Sequence, residues 1–175
     1  MIPRLVSFSV TSCRRQNREC YINELKTIED EIRKISHYLN KDFVVGTRFI
    51  DIIKTLIETQ TQAYKLNYTF KEDDEILWDD VSNKTKINVY RILQETMQNI
   101  YKHANAKHIK ISFELKNNVI LLAVQDDGSG FNVTKAKKGI GLKNMNSRVK
   151  EIGGKVEIDS KVDIGTIIKI KVPYN

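Results

Sequence analysis

The chain has 175 residues, enough for one domain or for one domain with a helical appendage. Its 41% hydrophobic and 29% charged residues are those of a soluble globular protein, and no run approaches the ~18 apolar residues of a membrane span. A net charge of +7 favours anionic partners such as nucleic acid, an anionic membrane or a phosphate ligand.

The first residues, MIPRLVSFSVTSCRRQNR, lack a basic leading segment, a long apolar centre and a small-residue cleavage site, so no signal peptide is read. Cys13 and Cys20 are the only cysteines. Two thiols imply neither a disulfide framework nor a zinc site, and they fit a reducing cytosol. Residues 19–40 read as a helix in which Tyr21, Leu25, Ile28, Ile32, Ile35 and Leu39 form an a/d seam. One helix cannot bury that seam alone. It packs on the chain's own core or on a second copy, and dimerisation is preferred. Residues 48–65 give a second helical pattern, with Phe49, Ile52, Ile53, Leu56 and Ile57. A short link over 41–46 suits an antiparallel pair. The expected organisation is an irregular remnant at 1–18, a helical segment at 19–65 and a separate domain at 66–175.

Leu66 to Lys71 alternates like a strand, and 72–82 is acidic and loop-like. Ser82 or Asn83 is placed to cap a long helix running to about Asn105. Ile109, Ile111, Phe113 and Leu115 alternate, Asn117-Asn118 is a turn, and Val119 to Val124 is an apolar strand, which together predict a hairpin. Leu142 to Ile152 is helical and stops at Gly153-Gly154. Two strands close the chain, Lys155 to Ile158 and Thr166 to Val172, joined by a turn around 163–165. The fold class is α+β: a sheet covered by helices in a two-layer sandwich.

Seven of the eight glycines lie between Gly128 and Gly165, and seven basic residues face one acidic residue between Lys135 and Lys155. Something anionic must approach this backbone closely. Aromatic residues are too few there to stack single-stranded bases, which argues against nucleic acid. On the long helix, Arg91, Glu95, Asn99 and His103 recur every four residues and share one stripe. An exposed polar face accounts for Arg91 and Glu95. It accounts poorly for Asn99, a mediocre helix former. An amide oxygen beside a carboxylate suits a hard cation such as Mg2+ that shares phosphate oxygens. Lys102 and His103 at the helix end are placed to meet those phosphates. Asp126, at a strand end, can accept a hydrogen bond from a planar amino group, with Gly128 and Gly130 giving clearance for a ring. Gly139 and Gly141 precede a helix whose free amides suit phosphate. Between the two glycine pairs, the segment from Phe131 to Lys138 is fit to close over a polyphosphate.

The order of these motifs resembles the ATP-binding catalytic domain of sensor histidine kinases, in the wider family shared with gyrase, Hsp90 and MutL. YRILQETMQNIYKHANAKHI resembles the N box of the branch paired with helix-turn-helix response regulators. DDGSGF and GIGLKNMNSRV resemble its two glycine boxes, and GTIIKIKVP its closing strand pair. The resemblance covers about Asn83 to Pro173. It implies a histidine kinase/Hsp90-like sandwich preceded by a helical dimerisation segment, with residues 19–65 as a partial phosphotransfer hairpin and 66–175 as the ATP-binding domain. It implies ATP and Mg2+ as cofactors, with Asn99 as metal ligand and Glu95 arranging the reacting end. It further implies that Asp126 reads the adenine amino group and that Thr166 supports it. Lys102, His103, Lys143 and Arg148 are candidate phosphate contacts, and Gly128, Gly130, Gly139, Gly141 and Leu142 line the site. A homodimer, a response-regulator partner and a cytoplasmic location, under a membrane-anchored parent, follow from the same resemblance. One element does not match: no R-x-x-R-E-L-H-D-like stretch is present, and the histidines are His37, His103 and His108. His37 follows a seam residue by two and precedes Tyr38 rather than an acid. The chain is therefore read as a fragment or truncated product that keeps the second hairpin helix and lacks the acceptor histidine. Two rivals are weighed: a gyrase-like ATPase, for which there is no room for a long lid and transducer, and a non-catalytic nucleotide-binding or dimerisation module.

Overall fold

The structure, a computed structural model, describes residues 48–133 and 140–174. The seam at 19–40, the segment 1–18, His37, the basic run Lys135–Lys138 and Gly139 lie outside the described residues.

Helix α1 (Phe49–Tyr64) buries Phe49, Ile50, Ile53, Leu56, Ile57 and Thr61, a single stripe of an amphipathic helix. It ends where Lys65 turns left-handed at φ 54° and its amide bonds the Gln62 carbonyl. Strand β1 (Asn67–Glu72) follows, then a 3-10 turn at Trp78–Asp80. Helix α2 (Asn83–Asn99) starts at Ser82, whose hydroxyl accepts the Thr85 amide at 3.2 Å. After the π-helical turn Ile100–Ala104 come β2 (His108–Lys116) and β3 (Val119–Asp126). Asn117 and Asn118 both have positive φ (52° and 60°), the geometry of a two-residue hairpin turn. Helix α3 (Ile140–Glu151), β4 (Lys155–Lys161) and β5 (Gly165–Pro173) complete the chain.

The five strands are ordered β1-β2-β3-β5-β4. The pair β1–β2 is parallel, because α2 crosses between them, and the other pairs are antiparallel. Alternation sorts the residues by face. On one face the cross-strand rows Ile111–Val124–Ile168 and Phe113–Leu122–Ile170 are buried, together with Ile92, Leu93 and Met97 of α2 and Met145 and Val149 of α3. This is the hydrophobic layer of the sandwich. The opposite face carries Lys110, Lys169 and Lys171, and Lys171 pairs with Glu157.

A compact unit begins at Thr47 and runs to Asn175, so α1 belongs with the sheet. The sequence pattern instead groups residues 48–65 with the upstream helix. The reason is an aromatic chain. Phe49 meets Trp78 at 4.7 Å between centroids, Trp78 meets Phe113 edge-on at 5.3 Å, and Phe113 meets Phe70 at 6.3 Å. Glu72 joins the same cluster, accepting from Trp78 Nε1 at 3.3 Å and pairing with Lys54 at 3.5 Å. Phe113→Ala is expected to lower the unfolding free energy by about 3–5 kcal/mol in urea denaturation. Val162→Ser, at an exposed turn, should stay within about 0.5 kcal/mol of the parent.

Candidate functional site

The buried rows of the sheet end in a polar one. Ile109 on β2 pairs with Asp126 on β3, Asp126 with Thr166 on β5, and Thr166 with Ser160 on β4. Asp126 is 4% exposed and Thr166 6%. Burial pushes the Asp126 carboxyl above its ordinary range. The Gly128 amide, then the Thr166 amide and hydroxyl, pull it back, while Asp127 adds repulsion. Asp126 Oδ1 accepts the Gly128 amide at 2.9 Å. The Ser160 hydroxyl lies 3.0 Å from that of Thr166 and accepts the Phe131 amide at 2.8 Å, so it ties the Asp126–Thr166 row to the segment after the glycines.

The glycines here are required by contact. A Cβ on Gly128 would be driven into the backbone carbonyl of Ala104. Gly130 adopts φ +56°, and a side chain there would strike the Lys161 carbonyl. The Gly141 α-carbon sits against α2, so a Cβ would meet the Glu95 carboxylate and come within 3.5 Å of Asn99 Nδ2. The second glycine motif and the N-box stripe are thus in direct contact. Gly141 is the second residue of α3 rather than a residue before it, so its amide lies in the first helical turn.

Along α2, Arg91, Glu95 and Asn99 are half-buried. Arg91 donates to Gln94 Oε1 at 2.8 Å, and Asn99 donates Nδ2 to Glu95 Oε1 at 3.4 Å. With its nitrogen turned to the carboxylate, Asn99 presents Oδ1 as an acceptor. The α-helix ends at Asn99 and a π-helical turn carries Ile100–Ala104, so the spacing of four that joins Arg91, Glu95 and Asn99 reaches His103 through π rather than α geometry. Lys102, His103 and Lys143 are exposed, and Leu142 and Arg148 are half-exposed.

Sequence reasoning did not single out Ser160, Ser129 or Asp127. Asp127 accepts the Lys107 and His108 amides at 2.8 and 2.9 Å and so pins the chain entering β2 to the glycine turn. The doubled acid of DDGSGF was its only signal. The two serines carried none, because strand β4 was expected to stop short of Ser160.

The fit to a nucleotide with a hard cation rests on these observations: an acceptor-only carboxylate inside the sandwich, backbone cleared of Cβ atoms beside it, and an amide–carboxylate pair against the second glycine motif. Among the described residues no three His, Cys, Asp or Glu side chains cluster, and a cation that keeps its waters and shares phosphate oxygens does not require such a cage.

Comparison with known proteins bears on the same region. Residues 84–175 match the family of histidine kinase-, DNA gyrase B- and HSP90-like ATPases, and the chain belongs to it. The sensor protein VraS of Staphylococcus aureus (strain COL) is 40% identical over 89 residues, covering 50% of this chain and 26% of VraS. The signal transduction histidine-protein kinase/phosphatase DegS of Bacillus subtilis (strain 168) is 35% identical over 94 residues, covering 51% of this chain and 24% of DegS. The matched stretch thus spans about a quarter of these relatives. In fold, the chain is similar to the Acinetobacter baumannii histidine kinase AdeS, with TM-score 0.62 and 17% identity over 100% of this chain and 87% of AdeS. It is also similar to the histidine kinase domain of the Erythrobacter litoralis EL346 blue-light activated kinase, with TM-score 0.58 and 16% identity over 72% of this chain and 59% of that domain. The two-layer architecture expected from the motif order is the one observed. No helix among the described residues is long and apolar enough to cross a membrane.

The two amides hold the Asp127 carboxyl below its ordinary 3.8. A depressed folded value stabilises the fold above pH 3.8 and loses that contribution as pH falls through the lowered value. The melting-temperature gap between the parent and Asp127→Ala should therefore be open at neutral pH and close on acidification, as thermal melts at stepped pH would show.

Proposed function

We propose that this chain is the nucleotide-binding catalytic portion of a two-component sensor histidine kinase. The carrying observation is Asp126: a carboxylate on the helix-covered face of the sheet, anchored by the Gly128 amide and flanked by Thr166. A buried acceptor with no cationic partner among the described residues invites a neutral donor, and the exocyclic amino group of adenine is such a donor. Gly128 and Gly130 let the turn pack against the Ala104 and Lys161 carbonyls, which holds the Asp126 end of the strand in place. Asn99 Oδ1 takes Mg2+, and Glu95 orients Asn99. The free amides at the start of α3, with Lys143, receive phosphate oxygens, and Lys102 and His103 flank them. Mg-ATP would supply the transferable phosphoryl group, and this chain's residues would contribute positioning and charge neutralisation.

The wider assignment rests on the same reading. The seam at 19–40 dimerises the chain, a histidine on a helical hairpin receives the phosphoryl group, and a response regulator takes it onward. The domain works in the cytoplasm, whatever anchors the whole protein. Incubation with labelled ATP tests the chemistry. Acid-labile phosphate on a supplied acceptor hairpin, with none on this chain, is the expected result. No transfer in either place would leave a binding module. Steady phosphate release without a phosphoprotein would mark an ATPase.

Calorimetric titration tests the site. Asp126→Asn should weaken Mg-ATP binding about tenfold to a hundredfold, the scale of a hydrogen bond to a charged group. Chelating Mg2+ should weaken binding in the parent and change little in Asn99→Ala. Unchanged affinity in Asp126→Asn would refute the assignment. Affinity should also fall on acidification, because a protonated Asp126 loses its acceptor charge. Since its value is raised, the loss should begin at higher pH than for an ordinary carboxylate.

A further inference from the structure

The π-helical turn Ile100–Ala104 carries Lys102 and His103, yet neither side chain is buried, so packing does not fix where they stand. The turn itself is held at its end by one residue of the first glycine motif. The Ser129 amide donates to the Ala104 carbonyl at 2.7 Å, and the Ser129 hydroxyl donates to the His103 carbonyl at 3.2 Å. These are two of the carbonyls that a helix terminus leaves without partners. The Ser129 carbonyl in turn accepts the Asp163 amide, at 2.7 Å, from the β4–β5 turn. Gly128, beside it, lies so close to Ala104 that no Cβ fits. Ser129 is thus bonded to the end of the π turn and to the β4–β5 turn while forming part of the glycine turn itself.

We propose that Ser129 is a positioning residue. Its hydroxyl locks the π turn to the glycine turn and so sets Lys102 and His103 at the polyphosphate end of the nucleotide site. The inference rests on the nucleotide-binding reading above and adds a residue to it. The Ser129 hydroxyl reaches the π turn and not the Asp126–Thr166 row, so its effect is confined to the phosphate end. Ser129→Ala removes the hydroxyl bond and keeps the backbone one.

The full chain and its Ser129→Ala and Ser129→Thr variants are titrated with Mg-ATP, ADP and adenosine, with thermal melts alongside. Ser129→Ala should bind Mg-ATP and ADP about two- to tenfold more weakly, the range of one net hydrogen bond. Adenosine affinity should stay at the parent level, and Ser129→Thr should restore the phosphate-dependent part. Equal losses for adenosine and Mg-ATP would overturn the inference, because Ser129 would then only shape the glycine turn. No loss for any ligand would overturn it as well. If the parent chain binds none of the three, the nucleotide reading itself falls, and the inference with it.

Discussion

The Ala104 carbonyl and the Ser129 amide, 2.7 Å apart, are the constraint on which the site's geometry depends. They join two stretches with different reasons to exist: the end of a buried helix, and a turn after a central strand. For the bond to form, the helix must expose a carbonyl sideways and the turn must bring its backbone within contact. A π-helical turn meets the first condition, since its wider ring releases carbonyls from the i−4 ladder. Glycine at 128 meets the second. A π turn is rare and a glycine turn is entropically costly, and this bond ties the one to the other.

The sandwich explains why the polar groups sit where they do. On β3 and β5 the inner face is filled by isoleucine, leucine and valine until its last row, where Asp126 and Thr166, joined by Ser160 of β4, replace them. Because side chains alternate along a strand, Asp126 cannot avoid the helix-covered side once Leu122 and Val124 occupy it. The register of the apolar core thereby determines that a carboxylate is buried, and burial in turn raises its affinity for a proton. The next residue, Asp127, points the other way, stays solvated and accepts two backbone amides. Two adjacent aspartates thus have opposite electrostatic fates through pleat alone.

Much of this was legible from the residues. Alternation in 107–115, the apolar run 119–124 and the Asn-Asn turn define the hairpin, and Ser82 or Asn83 marks the start of α2. The clustering of glycine with acid marks the turn after β3, where the Gly128 amide bonds Asp126. What was not legible shares a cause. The π turn looks like ordinary helix by periodicity, so the expected helix was run on unchanged through His103. The parallel pairing of β1 with β2 depends on a crossover that no local pattern records. The attachment of α1 to the sheet depends on Phe49 meeting Trp78 and Phe113, residues far apart in sequence. Ser129 and Ser160 are small polar residues whose meaning comes entirely from what they touch.

The strand order has a kinetic implication. From β2 to β5 the chain forms antiparallel neighbours, starting with a two-residue hairpin that closes on the microsecond scale. Two pairings are less local: Asn67 with His108 closes a loop that contains all of α2, and Asp126 with Thr166 closes one that contains α3. Loop entropy weighs against both contacts until the helices have formed and shortened the spans. Both pairings therefore follow the hairpin, and the aromatic residues that α1 and the 3-10 turn contribute dock with the first of them. On a ribosome, where residues 48–80 emerge before strands β2 to β5, this stretch would wait exposed for a sheet still to be synthesised.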